Sequence, residues 1–194
     1  LEKLLDELSD ILTPAELAAT NGFTKPKIPP LFIVGGPRSG STLLMQYLAS
    51  TGNFAYPSNL LSRFYAAPYI GAKIQLLITS EDYNFGNELS GIQELTNFDS
   101  RLGKTVGALQ PNEFYYFWRR FFPVQEPCWM PPSVIQNIDT TGFLRELAAL
   151  ESAFGQPLAM KALLIEQNID FVAGLFPRAC VVHLRRHPLF RIQS

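Results

Sequence analysis

At 194 residues the chain has the length of one globular domain, for which roughly 100–200 residues is usual. Its 16 Lys and Arg against 17 Asp and Glu give a net charge of −1, which excludes a global basic field that would hold nucleic acid or an anionic membrane. An apolar fraction of 47%, with 12% aromatic residues, supplies a packed core and excludes disorder. No apolar run approaches the roughly 20 residues needed to span a bilayer. The first residues alternate acids with leucines and show no secretory leader, so a cytoplasmic protein is expected. Cys180 lies in an apolar run and reads as a buried free thiol; it and Cys128 are the only cysteines, and nothing calls for an oxidising compartment.

In chain order, Leu1, Leu4, Leu5, Leu8, Ile11 and Leu12 recur at helical spacing, with Glu2, Asp6, Glu7 and Asp10 on the other face. Thr13-Pro14-Ala15-Glu16 reads as a capping box with proline at the first helical position, and Asn21-Gly22 as a stop. Two short helices are therefore expected over 1–27, as an amphipathic appendage to an α/β domain over 28–194. Leu31-Phe32-Ile33-Val34 is an unbroken apolar run that suits a strand buried on both faces. Gly35-Gly36-Pro37-Arg38-Ser39-Gly40 ends it, and helical periodicity resumes from Ser41 to Ser50.

The stretch from Asn59 to Pro132 reads as helical or irregular and is rich in aromatic residues. Beyond it the pattern predicts a helix over Thr140 to Phe154 capped by Gly155, a strand at Leu158-Ala159-Met160 and a helix over Gln167 to Phe176. A second buried strand is expected at Cys180 to Leu184. Such alternation implies a parallel central sheet flanked by helices. A helix starting near Pro188 would have no body before Ser194, so the domain is expected to be incomplete at its C-terminus.

The glycine-rich turn between strand and helix is the chemically informative feature. Backbone N–H groups converge there, and the helix dipole adds roughly half a positive charge, which makes a site for an oxyanion. The triphosphatase version is G-x-x-x-x-G-K-[ST]. With Gly35 and Gly40 as its glycines, Thr42 takes the hydroxyl position, but Ser41 stands where lysine belongs and Arg38 lies inside the loop. An acid at a strand end would hold Mg²⁺ in such enzymes; here the strands run into Lys161 and into Arg185-Arg186. Fixed cations without a metal are the expectation.

Pro37-Arg38-Ser39-Gly40-Ser41-Thr42 resembles the 5′-phosphosulfate loop, P-[RK]-S-G-[ST]-T, of sulfotransferases that use 3′-phosphoadenosine 5′-phosphosulfate (PAPS). By average residue usage a chance match is on the order of one in ten thousand. A second stretch is similar too: Val181-Val182-His183-Leu184-Arg185-Arg186-His187-Pro188, with Ser194 eight residues after Arg186, resembles the family's 3′-phosphate segment, although His187 replaces its usual acid. Between Phe171 and Ser194 there are four arginines and no acid. The resemblance implies an α/β P-loop-like fold and transfer of a sulfuryl group to a hydroxyl or amine of a small-molecule or glycan acceptor. It further implies that Pro37, Arg38, Ser39, Gly40, Ser41, Thr42, Arg186 and Ser194 bind the cofactor, with Arg38 and Lys161 acting on the sulfuryl group.

The family's carboxylate after the loop helix has no counterpart in Phe54 to Asn59. Glu113, set among aromatic residues, is the candidate general base, with an ion pair to Arg119 or Arg120 as its alternative role. His183 reads as a strand residue and His187 as a neighbour of the 3′-phosphate. Phe114, Tyr115, Tyr116, Phe117, Trp118, Phe121, Phe122 and Trp129 form either a core cap or an acceptor wall. Two alternatives stay open on sequence alone: a kinase with a degenerate phosphate loop, or an inactive relative that binds an adenosine bisphosphate.

Overall fold

A computed structural model describes residues 1–83, 86, 89, 92, 98, 100, 101, 103–123 and 129–193. Three short parallel strands form its centre: β1 (Leu31–Val34), β4 (Ala159–Lys161) and β5 (Cys180–His183). Their order is β4-β1-β5, with Phe32 opposite Met160 on one side and Val181 on the other. The pleat sends alternate residues to opposite faces. Phe32, Val34 and Met160 enter the larger core, while Ile33 and Ala159 pack with Met45 beneath α2 (Ser41–Ser50).

The larger core is aromatic. α3 (Pro68–Thr79) and α6 (Thr140–Phe154) pack on one another. α4 (Tyr115–Phe121) turns Phe117, Trp118 and Phe121 inward onto Phe143 of α6, with Trp118 and Phe143 centroids 5.6 Å apart. Thus the aromatic stretch divides: five of its rings, Phe114, Phe117, Trp118, Phe121 and Phe122, are core, while Tyr115, Tyr116 and Trp129 are exposed. A bidentate ion pair from Arg120 to the buried Glu146 closes this core, at 2.8 and 2.9 Å. Arg120 is therefore committed there, and Arg119 donates to the Tyr115 hydroxyl.

The remaining elements are short: the antiparallel pair β2 (Ser100–Arg101) and β3 (Lys104–Thr105), α5 (Pro132–Ile135), α7 (Ile169–Leu175) and α8 (Pro188–Ile192). Short 3₁₀ helices occupy Leu61–Phe64 and Leu163–Asn168. Where one helix over Gln167 to Phe176 was expected, the 3₁₀ turn runs to Asn168 and α7 begins after it. The helix over Thr140 to Phe154 is present as expected; Asp139 accepts from Gly142 N at its start and Gly155 sits at φ +66° past its end. No helix among the described residues is long and apolar enough to cross a membrane.

Three local expectations are corrected. First, the N-terminus is one helix, α1 (Glu2–Thr20), that runs through Pro14. The Thr13 hydroxyl donates back to Ser9 O at 2.6 Å and caps nothing ahead of it. Glu16, the would-be partner in the capping box, is buried and accepts instead from Tyr69 N at 2.7 Å and Ile70 N at 3.0 Å. Its carboxylate thus caps α3, where Pro68 brings no donor of its own. Second, β5 is an apolar strand but not a buried one. It lies at the sheet edge, and Cys180, Val181 and His183 are exposed. Third, Cys180 is accordingly an exposed free thiol; Cys128 lies outside the described residues.

Candidate functional site

In an open parallel sheet, ligands gather outside the carboxyl ends of the strands, where neighbouring connections diverge. β1 is the middle strand here, and the chain leaving it becomes the glycine-rich loop. Gly35 (φ +143°) crosses so close to the end of β5 that a Cβ would stand 2.5 Å from Leu184 O. Ser39 N donates to Gly36 O at 3.2 Å to close the turn. Arg38 takes a left-handed conformation (φ +65°), unusual for a residue with a side chain. Gly40 (φ +100°) then starts α2, which has no side-chain cap among the described residues. The amides of its first turn are therefore left for a ligand.

The second stretch arrives from β5. Arg186 Nη1 donates to Arg38 O at 3.3 Å, across 148 residues of sequence. From α8, Arg191 Nε donates to Pro37 O at 3.0 Å, and its guanidinium lies over Gly36 where a side chain would otherwise stand. Both ends of the positively charged pattern therefore converge on one loop. A cleft of about 610 Å³ opens there, lined by Arg38, Ser41, Thr42, Glu113, Glu166 and Arg186 among others.

Lys161 ends β4 and points back beneath the loop. It is 2% exposed, so it is no surface lysine at a strand end. Its Nζ donates to Thr42 Oγ1 at 2.7 Å and lies 3.5 Å from Glu113 Oε1. Burial holds its pKa below the usual lysine value, with Glu113 pulling the other way. The Thr42 hydroxyl donates in turn to Gly103 O at 3.3 Å. With that hydroxyl engaged on both sides, Thr42 has its backbone N–H left to offer a ligand. Ser39 Oγ is buried without a hydrogen-bond partner among the described residues.

Glu113 reaches the cleft from a braced segment. Asn112 N donates to Pro57 O, Asn112 Nδ2 to Asn59 Oδ1, and Phe114 N to Asn112 Oδ1, each at 2.8 Å. Phe114 follows in a left-handed conformation (φ +55°) with its ring buried. The carboxylate itself is 48% exposed, so it is not enclosed by rings, and its ion-pair partner is Lys161, not Arg119 or Arg120.

The profile of the sulfotransferase family matches residues 29–194, a span that contains the loop, Lys161 and the Arg186 turn. The chain belongs to the sulfotransferase family. No curated protein and no solved structure matches it. Of the residues singled out from the sequence, Pro37, Arg38, Gly40, Ser41, Thr42, Glu113 and Arg186 line one cleft; Lys161 lies behind it on the Thr42 hydroxyl, and Ser39, in the same loop, is not part of the lining. Ser194 lies outside the described residues. His187 caps α8 by accepting from Leu189 N at its Nδ1.

The cleft is not lined by cations alone, as the strand ends had implied. Glu113 joins it, and so does Glu166, whose Oε1 lies 3.4 Å from His183 Nε2. Three contributors went unrecognised in the sequence. Arg191 had a signal, as one of four arginines in an acid-free stretch. Glu166 and Gly103 had none, because only the folding of distant turns brings them to the loop.

Proposed function

We propose that this sulfotransferase takes its sulfuryl group from PAPS and passes it, by in-line displacement without a metal ion, to a hydroxyl or amine of a small-molecule or glycan acceptor. The observation that carries this reading is the meeting of the two phosphate-binding stretches, Arg186 Nη1 on Arg38 O at 3.3 Å. The residues present fit a doubly phosphorylated ligand. Ser39 Oγ is buried without a partner, the start of α2 lacks a side-chain cap, and two guanidinium groups line one cleft. When bound, PAPS would supply the activated sulfuryl group.

The chain's own residues have separable tasks. Ser39 Oγ and the amides of Gly40, Ser41 and Thr42 hold the 5′-phosphate. Pro37 shapes the turn. Arg186 offers a planar fork to the 3′-phosphate. Arg38 and Lys161 place fixed cations where negative charge grows in the transition state. Thr42 and Glu113 keep the Lys161 ammonium aimed at the loop. Glu113, half exposed at the cleft wall, takes the acceptor proton at a carboxylate oxygen.

Thermal denaturation with adenosine 3′,5′-bisphosphate tests the reading. At one hundred times its Kd the ligand adds about 2.7 kcal/mol of stability. Stabilisation by the bisphosphate together with sulfate transfer from PAPS is the expected result. Stabilisation by ATP and Mg²⁺ alone would point to phosphoryl transfer, and bisphosphate binding without transfer to any acceptor would leave a binding protein.

A further inference from the structure

A second cleft, of about 790 Å³, lies against the first and shares Glu113 and Gly103 with it. Its volume falls within the range of small-molecule sites, roughly 300–1,000 Å³. α4 supplies one wall. The inward face of that helix is apolar core, yet the two residues at its start, Tyr115 and Tyr116, are 41% and 51% exposed. Their rings meet edge to face at 5.6 Å, and Tyr65 backs Tyr116 at 5.3 Å. The two rings stand nearly perpendicular, and the Arg119 guanidinium lies 5.6 Å from the Tyr115 ring centroid; together they give the cleft an exposed aromatic wall that nothing in the core requires.

The rim is charged. Arg63 and Lys104 line the cleft, both exposed and both without an ion-pair partner among the described residues. Glu2 and Lys3, also at this rim, offset one another. Glu113 is the remaining acid, and it sits at the boundary with the first cleft, 3.5 Å from Lys161 Nζ.

We propose that this second cleft receives the acceptor, and that the acceptor is a small hydroxylated ring carrying an anionic group. The ring packs against the aromatic wall of Tyr115 and Tyr116, the anionic group meets Arg63 and Lys104, and the hydroxyl faces Glu113. This assignment rests on the proposed sulfuryl transfer for the role of Glu113, while the preference for an anionic ring stands on the cleft itself. Cations at the rim steer and select an anionic ligand, and they add to affinity only modestly where water screens them.

The experiment titrates the full chain, saturated with adenosine 3′,5′-bisphosphate, with three matched ring ligands: 4-hydroxybenzoate, the neutral 4-hydroxybenzamide and the cationic tyramine. The expected result is 4-hydroxybenzoate ahead of the amide by about tenfold, with tyramine last. The preference shrinks as salt rises and disappears in the double variant Arg63→Glu, Lys104→Glu, whose bisphosphate affinity is unchanged. Should that variant fail to fold, the Arg63→Ala, Lys104→Ala pair replaces it. Equal binding of the three, tyramine first, no binding of the carboxylate at millimolar concentration, or a preference that survives the double variant would each overturn the proposal. The same titration without bisphosphate separates the two readings: a chain that ignores the bisphosphate yet still prefers the carboxylate has lost the cofactor assignment and kept this one.

Discussion

An ammonium group enclosed by protein gives up hydration worth several kcal/mol unless oxygens replace it. At Lys161 the replacements are the Thr42 hydroxyl at 2.7 Å and the Glu113 carboxylate at 3.5 Å. Glu113 is thereby placed between two tasks, holding Lys161 and accepting a proton. Because it is half exposed, its loss leaves Lys161 with Thr42 and with water at the cleft, so the fold tolerates the change better than the chemistry does. Glu113→Gln is expected to lower turnover by about 10²-fold or more, with adenosine 3′,5′-bisphosphate affinity unchanged. Steady-state kinetics beside a binding titration check this, and unimpaired turnover removes Glu113 from the mechanism. In the sequence, Lys161 was visible as a strand-end lysine, but its enclosure was not, because Thr42 stands 119 residues away. Arg38, Ser39 and Gly40 were legible for the opposite reason: the loop is one contiguous segment, and its geometry follows from local residue types.

Among the elements, α1 and α3 show how a correct local pattern takes a different partner. Thr13 to Glu16 has the composition of a capping box, and Glu16 does cap a helix, but the helix is α3. Residue spacing announces that a carboxylate seeks amide donors; it does not announce whose. Removing the side chain in Glu16→Ala leaves Tyr69 N and Ile70 N unpaired in a partly buried setting. At about 1–3 kcal/mol for each orphaned donor, the expected cost is about 2–6 kcal/mol, a fall in Tm on the order of 10 °C for a chain of this size. Glu16→Gln, which keeps one acceptor oxygen, is expected to lose less. Calorimetry on both variants checks the order, and an Ala variant as stable as the parent would show that the cap is dispensable. The strands carry the same lesson. Leu31 to Val34 and Cys180 to His183 look alike as apolar runs, but the first is the middle strand and the second an edge. Burial belongs to a strand's place in the sheet, which its own residues do not encode.

For the whole molecule, the parallel order β4-β1-β5 was legible as a class, since apolar runs alternate with helical patterns, while the clefts were not. Gly103 and Glu113 bound both and Glu166 the first, and these residues join the loop only through tertiary packing. Tyr56 illustrates this longer-range closure and gives it a pH signature. Its hydroxyl donates to Leu109 O at 2.9 Å, tying the chain after α2 to the segment that delivers Glu113. Burial raises its pKa from 10.0 to about 12. The unfolded chain therefore releases this proton first, and stability falls as pH rises from about 10 to about 12, by roughly 2–3 kcal/mol at most. Lys161 acts with the opposite sign: burial lowers its folded pKa below 10.5, so the unfolded chain holds its proton longer and stability rises with pH in the window that ends at 10.5. Urea titrations across alkaline pH on the parent, Tyr56→Phe and Lys161→Met separate the two. Tyr56→Phe starts about 1 kcal/mol less stable for the lost hydrogen bond, then closes on the parent and overtakes it as pH climbs above 10. Lys161→Met lacks the earlier rise. Curves for Tyr56→Phe and the parent that stay parallel up to pH 12 would mean that the tyrosine is open to solvent and that the two segments are not joined there.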